Sequence, residues 1–269
     1  LFEQHQFTGV IHFAAESHVD NSITNPGVFI ETNVTGTFTL LDVAYRFWME
    51  APFTYKKAFI NARFHQISTD EVYGSLGATG SFTETSPYAP NSPYSASKAS
   101  ADMLVRSYHH TYGMNTVITN CSNNYGPKQH TEKLIPTIIR KALAGETIPI
   151  YGDGQNVRDW LYVLDHCKAV ALVFERGSAG ETYCIGGDAE WMNTDIAQYI
   201  CKVLDRIKPK VRGSYVEQIR FVADRAGHDH RYAIDPYKIK RELGWEPRED
   251  FETGIQKGVQ YYLDIFNKK

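Results

Sequence analysis

Apolar positions along this chain switch repeatedly between continuous runs and helical spacing. Residues 8–15 (TGVIHFAA) form a largely apolar run ending in small residues, which predicts a buried strand running out into a tight loop. Asn25-Pro26 then opens a stretch to about residue 49 in which Val28, Phe29, Leu40, Leu41, Val43 and Ala44 recur at helical spacing, with Pro26 suited to the first turn. Residues 64–69 (FHQIST) predict a second strand. Residues 74–91 are so rich in Gly, Ser, Thr and Pro that only a loop fits, and compact domains rarely keep such loops without a function. Ser92-Pro93 supplies an N-cap and a first-turn proline for a helix through about residue 110, and residues 116–120 give a third strand. This rhythm predicts an α/β fold with a doubly wound parallel sheet, whose ligands lie beyond the carboxyl ends of the strands. Those ends are Ala14-Ala15-Glu16-Ser17, Ser68-Thr69-Asp70-Glu71 and Asn120-Cys121-Ser122-Asn123-Asn124.

After Tyr125-Gly126-Pro127 the pattern loosens. It predicts a helix over 133–144, strands over 148–151 and 157–163, helices over 165–175, 194–205 and 236–243, and a last helix from Phe251. The chain thus divides into a first domain over 1–125 and a smaller α/β lobe over 126–269, some segments of which return to the first domain.

Composition narrows the function. With 28 Lys+Arg against 31 Asp+Glu there is no basic field to hold nucleic acid or an anionic membrane. The longest apolar run, residues 169–174, falls far short of the ~20 residues of a membrane span. Cys121, Cys167, Cys184 and Cys201 form no CxxC pair, which predicts reduced thiols in the cytoplasm, each a small buried hydrophobe, and no metal site. The opening residues Leu1-Phe2-Glu3-Gln4-His5 carry neither an initiating Met nor a signal sequence, so the chain reads as starting mid-protein.

Two constellations carry chemistry. In Tyr94-Ser95-Ala96-Ser97-Lys98 the i,i+4 spacing puts a phenol and an ammonium on one helix face, and a nearby cation favours the phenolate, making Tyr94 a usable base. A single Tyr-x-x-x-Lys pair also arises by chance in a chain with 17 Tyr, but this one follows a long polar loop. Asp70 and Glu71 stand together at a strand end. Two close carboxyls in a partly buried pocket split their pKa values, leaving one protonated as an acid and one ionised as a base.

Ala14-Ala15-Glu16-Ser17-His18-Val19-Asp20, Ser68 to Gly74, Tyr94 to Lys98, Asn120 to Pro127 (NCSNNYGP), Glu132 to Pro136 (EKLIP), Pro149 to Gly154 (PIYGDG), Asn156 to Val163 (NVRDWLYV) and Arg225-Ala226-Gly227-His228-Asp229 occur in this order. Together they resemble the dTDP-glucose 4,6-dehydratase family of the extended short-chain dehydrogenase/reductases over nearly the whole chain. The family's N-terminal GxGxxG turn, which holds the cofactor pyrophosphate, has no counterpart here. Its absence implies that roughly the first three strands of the Rossmann-type sheet are missing and that this stretch alone retains NAD weakly.

The resemblance implies a nucleotide-diphosphate glucose as substrate, NAD as cofactor and a homodimer paired through the two long helices, with rhamnose supply as the usual context. Tyr94 would take the C4 hydroxyl proton, Lys98 would assist it and bind the nicotinamide ribose, and Thr69 would hydrogen-bond the same hydroxyl. Glu71 would remove the C5 proton while Asp70 protonates the departing C6 hydroxyl. Cofactor contacts carried over by motif are Ala14, Ala15, Ser17, Thr32, Tyr94, Lys98 and Asn124. Substrate contacts are Thr69, Asn123, Lys133, Leu134, Pro149, Tyr151, Arg158, Asn193, Arg225 and His228, the two arginines suiting a diphosphate. By the same resemblance, UDP-hexose 4-epimerases carry small or hydroxylic residues in place of Asp70-Glu71, and GDP-mannose dehydratases and UDP-glucuronate decarboxylases keep only the Glu. Those branches remain as alternatives, as does a silent nucleotide-sugar binding protein, against which the intact catalytic set argues.

Overall fold

A computed structural model describes residues 1–266. The three expected strands appear as Gly9–His12, Arg63–Thr69 and Thr116–Cys121. They join Thr182–Ile185 in one parallel sheet, in that spatial order. Ser68 lies opposite Asn120, and Cys121 opposite Ile185. The first strand is shorter than expected, so Ala14 and Ala15 lie in the loop beyond it.

Both faces of the sheet are covered, as parallel strands require. On one face, helices Gly36–Trp48 and Pro93–Tyr112 bury Leu41, Trp48, Val105 and Tyr108 against Phe64 and Ile118. On the other, Val163–Arg176 and Tyr237–Leu243 bury Ala169, Val173 and Ile239 against Val117, Tyr183 and Ile185. A separate core gathers helices Leu134–Leu143, Asn193–Ile207 and Phe251–Phe266 around strands Ile148–Tyr151 and Val157–Tyr162.

The single helix expected over 26–49 is interrupted. Pro26–Phe29 runs into a π-helical turn, Ile30–Thr35, before Gly36–Trp48 resumes as an α-helix. The β-branched residues Ile30, Thr32, Val34 and Thr35 weaken the ordinary turn, and the wider one carries Asn33 into the interior. There Asn33 Nδ2 donates to the Glu16 carbonyl at 3.0 Å and to Ser97 Oγ at 2.8 Å, while the Glu16 N–H donates to Asn33 Oδ1 at 2.8 Å. One buried amide thus pins the first strand-end loop to the helix that carries Tyr94. The cysteines depart from expectation at two positions, Cys121 being only half-buried. Cys184 and Cys201 are buried, but Cys167 is exposed because it sits on the outer side of its helix.

Three buried histidines pack the sheet faces. Burial lowers His12 to about 4, His65 to about 3 and His166 to about 4 from the usual 6.5, so all three are neutral in the folded protein. Because the folded values lie below the unfolded one, their contribution is full above pH 6.5 and is lost as pH falls toward 4. Each costs up to about 1.4 kcal/mol per pH unit through that window. Thermal unfolding scans are expected to show a steady loss of Tm below pH 6.5, beginning before ordinary carboxylates titrate.

Candidate active site

The second strand end supplies the first cluster. After Thr69 the chain turns into a short 3-10 helix, Asp70–Tyr73, capped by Thr69 Oγ1, which accepts the Glu71 N–H at 3.3 Å. Gly74 closes the turn at φ 85°, and a Cβ there would sit 2.5 Å from the Ala89 carbonyl oxygen. Only glycine fits both demands. Asn120 Nδ2 donates to the Thr69 carbonyl at 3.0 Å, tying this end to the neighbouring strand.

Asp70 accepts from Thr69 Oγ1 at 3.2 Å, and its other carboxyl oxygen is buried without a hydrogen-bond partner. Burial, reinforced by the Glu71 charge, pushes Asp70 well above the carboxylate range, so it holds its proton. Burial raises Glu71 as well, but Arg158, Arg225 and Lys133 all oppose that rise. Of the adjacent carboxyls, Asp70 is therefore the acid and Glu71 the member that ionises.

The second cluster comes from Pro93–Tyr112. Its start is fixed by a reciprocal cap, Ser95 N–H to Ser92 Oγ at 3.1 Å and Ser92 N–H to Ser95 Oγ at 3.0 Å, with Pro93 in the first turn. Tyr94 packs edge-on against Phe29, and the Thr69 hydroxyl hydrogen-bonds its phenol. Burial and the neighbouring negative charge of Glu71 push the phenol well above its ordinary value. The lowering expected from Lys98 does not outweigh this: the Lys98 ammonium donates to the Ile67 carbonyl at 2.7 Å, and Asp102 is the strongest charge favouring it.

The remaining candidates approach from the second lobe. Lys133 Nζ donates to the Ser17 carbonyl at 2.8 Å. Asp20, just past the first strand end, accepts from Arg225 Nη1 at 3.4 Å and from the Tyr151 hydroxyl at 3.3 Å. His228 stands edge-on to Tyr151 and pairs with Asp224 at 2.6 Å. Arg158 is buried, stacked 4.2 Å over Tyr232, with Nη1 donating to the Val157 and His230 carbonyls and Nη2 to that of Asp229. Two of its five N–H donors, on Nε and Nη2, are left over for a ligand. Lys133, Arg158 and Arg225 thus act on Glu71 beside Thr69, Asp70 and Tyr94, while Tyr151 stands against His228 and shares Asp20 with Arg225. Asn123 pairs with Trp160 in a short strand, and Leu134, Pro149 and Asn193 stand on separate elements of the second lobe.

The residues expected to hold NAD keep free donors and acceptors. Lys98 commits one of three N–H donors to Ile67. Asn124 donates to Cys121 Sγ and the Ser122 carbonyl, which leaves its Oδ1 buried and unpartnered. Ala14 and Ser17 are exposed, with Ala15 and Thr32 half-buried behind them. A ribose and a carboxamide, which need paired donors and acceptors, fit this set.

Two groups escaped the sequence reading. Asn33 could not be found by spacing, because the π turn that aims it inward breaks the helical period. Asp102 could, since it continues the Tyr94 and Lys98 face by one more turn.

A doubly wound sheet with a buried Tyr-x-x-x-Lys face and a lobe of phosphate-suited cations defines a nucleotide-sugar short-chain dehydrogenase/reductase. The family model described as GDP-mannose 4,6 dehydratase matches residues 1–258. The dTDP-glucose 4,6-dehydratase of Xanthomonas campestris pv. campestris is 57% identical over 264 residues, covering 98% of this chain and 74% of the relative. The chain belongs to the dTDP-glucose 4,6-dehydratase family. Among solved structures, the dTDP-glucose 4,6-dehydratase DesIV of Streptomyces venezuelae, with NAD bound, superposes with a TM-score of 0.86 at 47% identity, covering 97% of this chain and 75% of that one. The UDP-glucose 4-epimerase of Thermotoga maritima shares the fold at a TM-score of 0.84 but only 27% identity, covering 98% of this chain and 80% of that one.

Proposed function

We propose that this protein converts dTDP-glucose to the 4-keto-6-deoxy sugar with NAD as cofactor. The reading rests above all on Asp70: a buried carboxyl that keeps its proton beside an ionisable Glu71 suits elimination of water and is not needed to epimerise C4. NAD, when bound, supplies the hydride acceptor for C4, a positive ring charge that favours the Tyr94 phenolate, and the hydride returned to C6.

Tyr94 takes the C4 hydroxyl proton as the C4–H bond breaks, and Thr69 orients that hydroxyl. The C4 ketone acidifies the C5 hydrogen, which Glu71 removes. The electron pair released forms the C5–C6 double bond, and the C6 hydroxyl leaves as water with the proton of Asp70. Reprotonation of C5 by Glu71 and return of the proton gained at Tyr94 to Asp70 restore the residues, with no net redox change. Arg158, Arg225 and Lys133 hold the diphosphate and Tyr151 and His228 the nucleotide end, with Asn123, Leu134, Pro149 and Asn193 completing the substrate contacts. Ala14, Ala15, Ser17, Thr32, Tyr94, Lys98 and Asn124 hold the cofactor. Residues 1–125 thus carry the cofactor and the chemistry, and 126–269 mainly the nucleotide sugar.

We assign the reaction to the cytoplasm, where nucleotide sugars and reduced thiols occur, in dTDP-rhamnose supply; among the described residues no helix is long and apolar enough to cross a membrane. A homodimer through the two long helices is supported by the exposed apolar side chains Ile30, Phe38, Val43 and Met103. Light scattering on the purified protein is expected to give twice the monomer mass. Incubation with dTDP-glucose and NAD should yield the product through its alkaline absorbance; an epimerised sugar instead would transfer the protein to the 4-epimerase branch.

A further inference from the structure

The catalytic strand end and the catalytic helix are joined by a buried carboxylate to which the proposed reaction assigns no role. Asp102 lies one turn beyond Lys98 on Pro93–Tyr112 and is fully buried. Its Oδ2 accepts from Ser68 Oγ at 2.5 Å and from the Tyr88 hydroxyl at 3.1 Å, while Oδ1 is buried without a partner. Lys98, 5% exposed, donates to the carbonyl of Ile67, the residue before Ser68. The helix therefore grips consecutive residues of one strand, immediately ahead of Thr69, Asp70 and Glu71, with one cation and one anion.

The groups around this pair carry no competing charge. His12, from the first strand, is held neutral at about 4, and Cys121, from the third, stays a thiol at about 12. Tyr73 in the turn and Tyr88 in the loop are pushed far above their ordinary range, and Asp70 keeps its proton. Cys184 behind Tyr73 stays a thiol, and Ser68 and Asn120 are uncharged. Among these described groups, Asp102 is the one formal negative charge facing Lys98. Burial works against the ammonium, and Asp102 is the strongest charge favouring it. A buried cation without such a partner gives up its proton.

We propose that Asp102 is a positioning residue, the buried counter-charge of the Lys98 ammonium, anchored on Ser68 and Tyr88. It acts through Lys98 and the strand end. The proposal rests on the cofactor-binding role proposed for Lys98 above, but its test needs no turnover. Asp102→Asn keeps the shape and a hydrogen-bonding oxygen while removing the charge.

The direct readout is the Nζ titration of Lys98 by heteronuclear NMR in lysine-labelled full chain, assigned by the signal lost in Lys98→Met. The Lys98 midpoint is expected to fall by about one pH unit or more in Asp102→Asn. Linkage requires the reciprocal effect: Lys98→Met should raise the carboxyl midpoint of Asp102 by the same amount from about 6. Midpoints unchanged within about 0.2 unit would leave Asp102 a purely structural acceptor and overturn the proposal. Because the two arms alter different residues, the loss of one variant to misfolding leaves the other decisive. A failure to turn over dTDP-glucose would count against the proposed function and leave these titrations standing.

Discussion

Asp70→Asn is expected to slow formation of the 4-keto-6-deoxy product by about 10²–10⁴-fold, the loss typical of removing a positioned general acid. The amide keeps the size of the carboxyl and can still accept from Thr69 Oγ1, so the fold and the substrate pocket should persist. What it lacks is the proton for the departing C6 hydroxyl. Oxidation at C4 does not need that proton, so mixing the variant with NAD and dTDP-glucose should still produce the absorbance of reduced nicotinamide, now accumulating because elimination is blocked. Loss of both signals together would show that Asp70 serves binding or folding rather than elimination.

Tyr94→Phe should leave the opposite signature. Removal of the phenol oxygen takes away the base for the C4 hydroxyl, with about 10²–10⁴-fold lost from kcat and no reduced nicotinamide formed. The cost to stability should be small, since the ring keeps its packing against Phe29 and the hydroxyl gives up one hydrogen bond to Thr69. Stopped-flow absorbance on the two variants side by side separates the first chemical step from the second. If Tyr94→Phe oxidised C4 at an unchanged rate, the base would have to lie elsewhere. The same substitution bears on the state of the phenol. Burial and the neighbouring negative charge of Glu71 hold it above its ordinary value, so the cation that makes it a base is not Lys98 alone.

Much of this site was legible in the sequence because it sits where strands end. The apolar run before Ser17 and the FHQIST strand placed Asp70 and Glu71 at a ligand-facing edge, and Ser92-Pro93 marked the start of the helix that presents Tyr94. Such signals are local: a cap, a breaker and a period. The strand Thr182–Ile185 was not legible, since four residues between turns carry no period of their own and only pairing with Thr116–Cys121 makes them a strand. Nor was the π turn, which trades a regular hydrogen-bond ladder for the inward placement of Asn33. Arg158 shows a different limit. Its motif suggested a phosphate fork, but three backbone carbonyls and the Tyr232 ring already hold it, so it also builds the pocket wall.

The proposed reaction turns on one hydrogen, carried from C4 to C6 within a single sugar. Mass and NMR analysis of the product formed from dTDP-glucose deuterated at C4 tests it most directly. Deuterium is expected at C6 of the 4-keto-6-deoxy sugar, with a solvent hydrogen at C5 delivered by Glu71. Deuterium retained at C4 of an epimerised hexose, or lost to solvent, would contradict it.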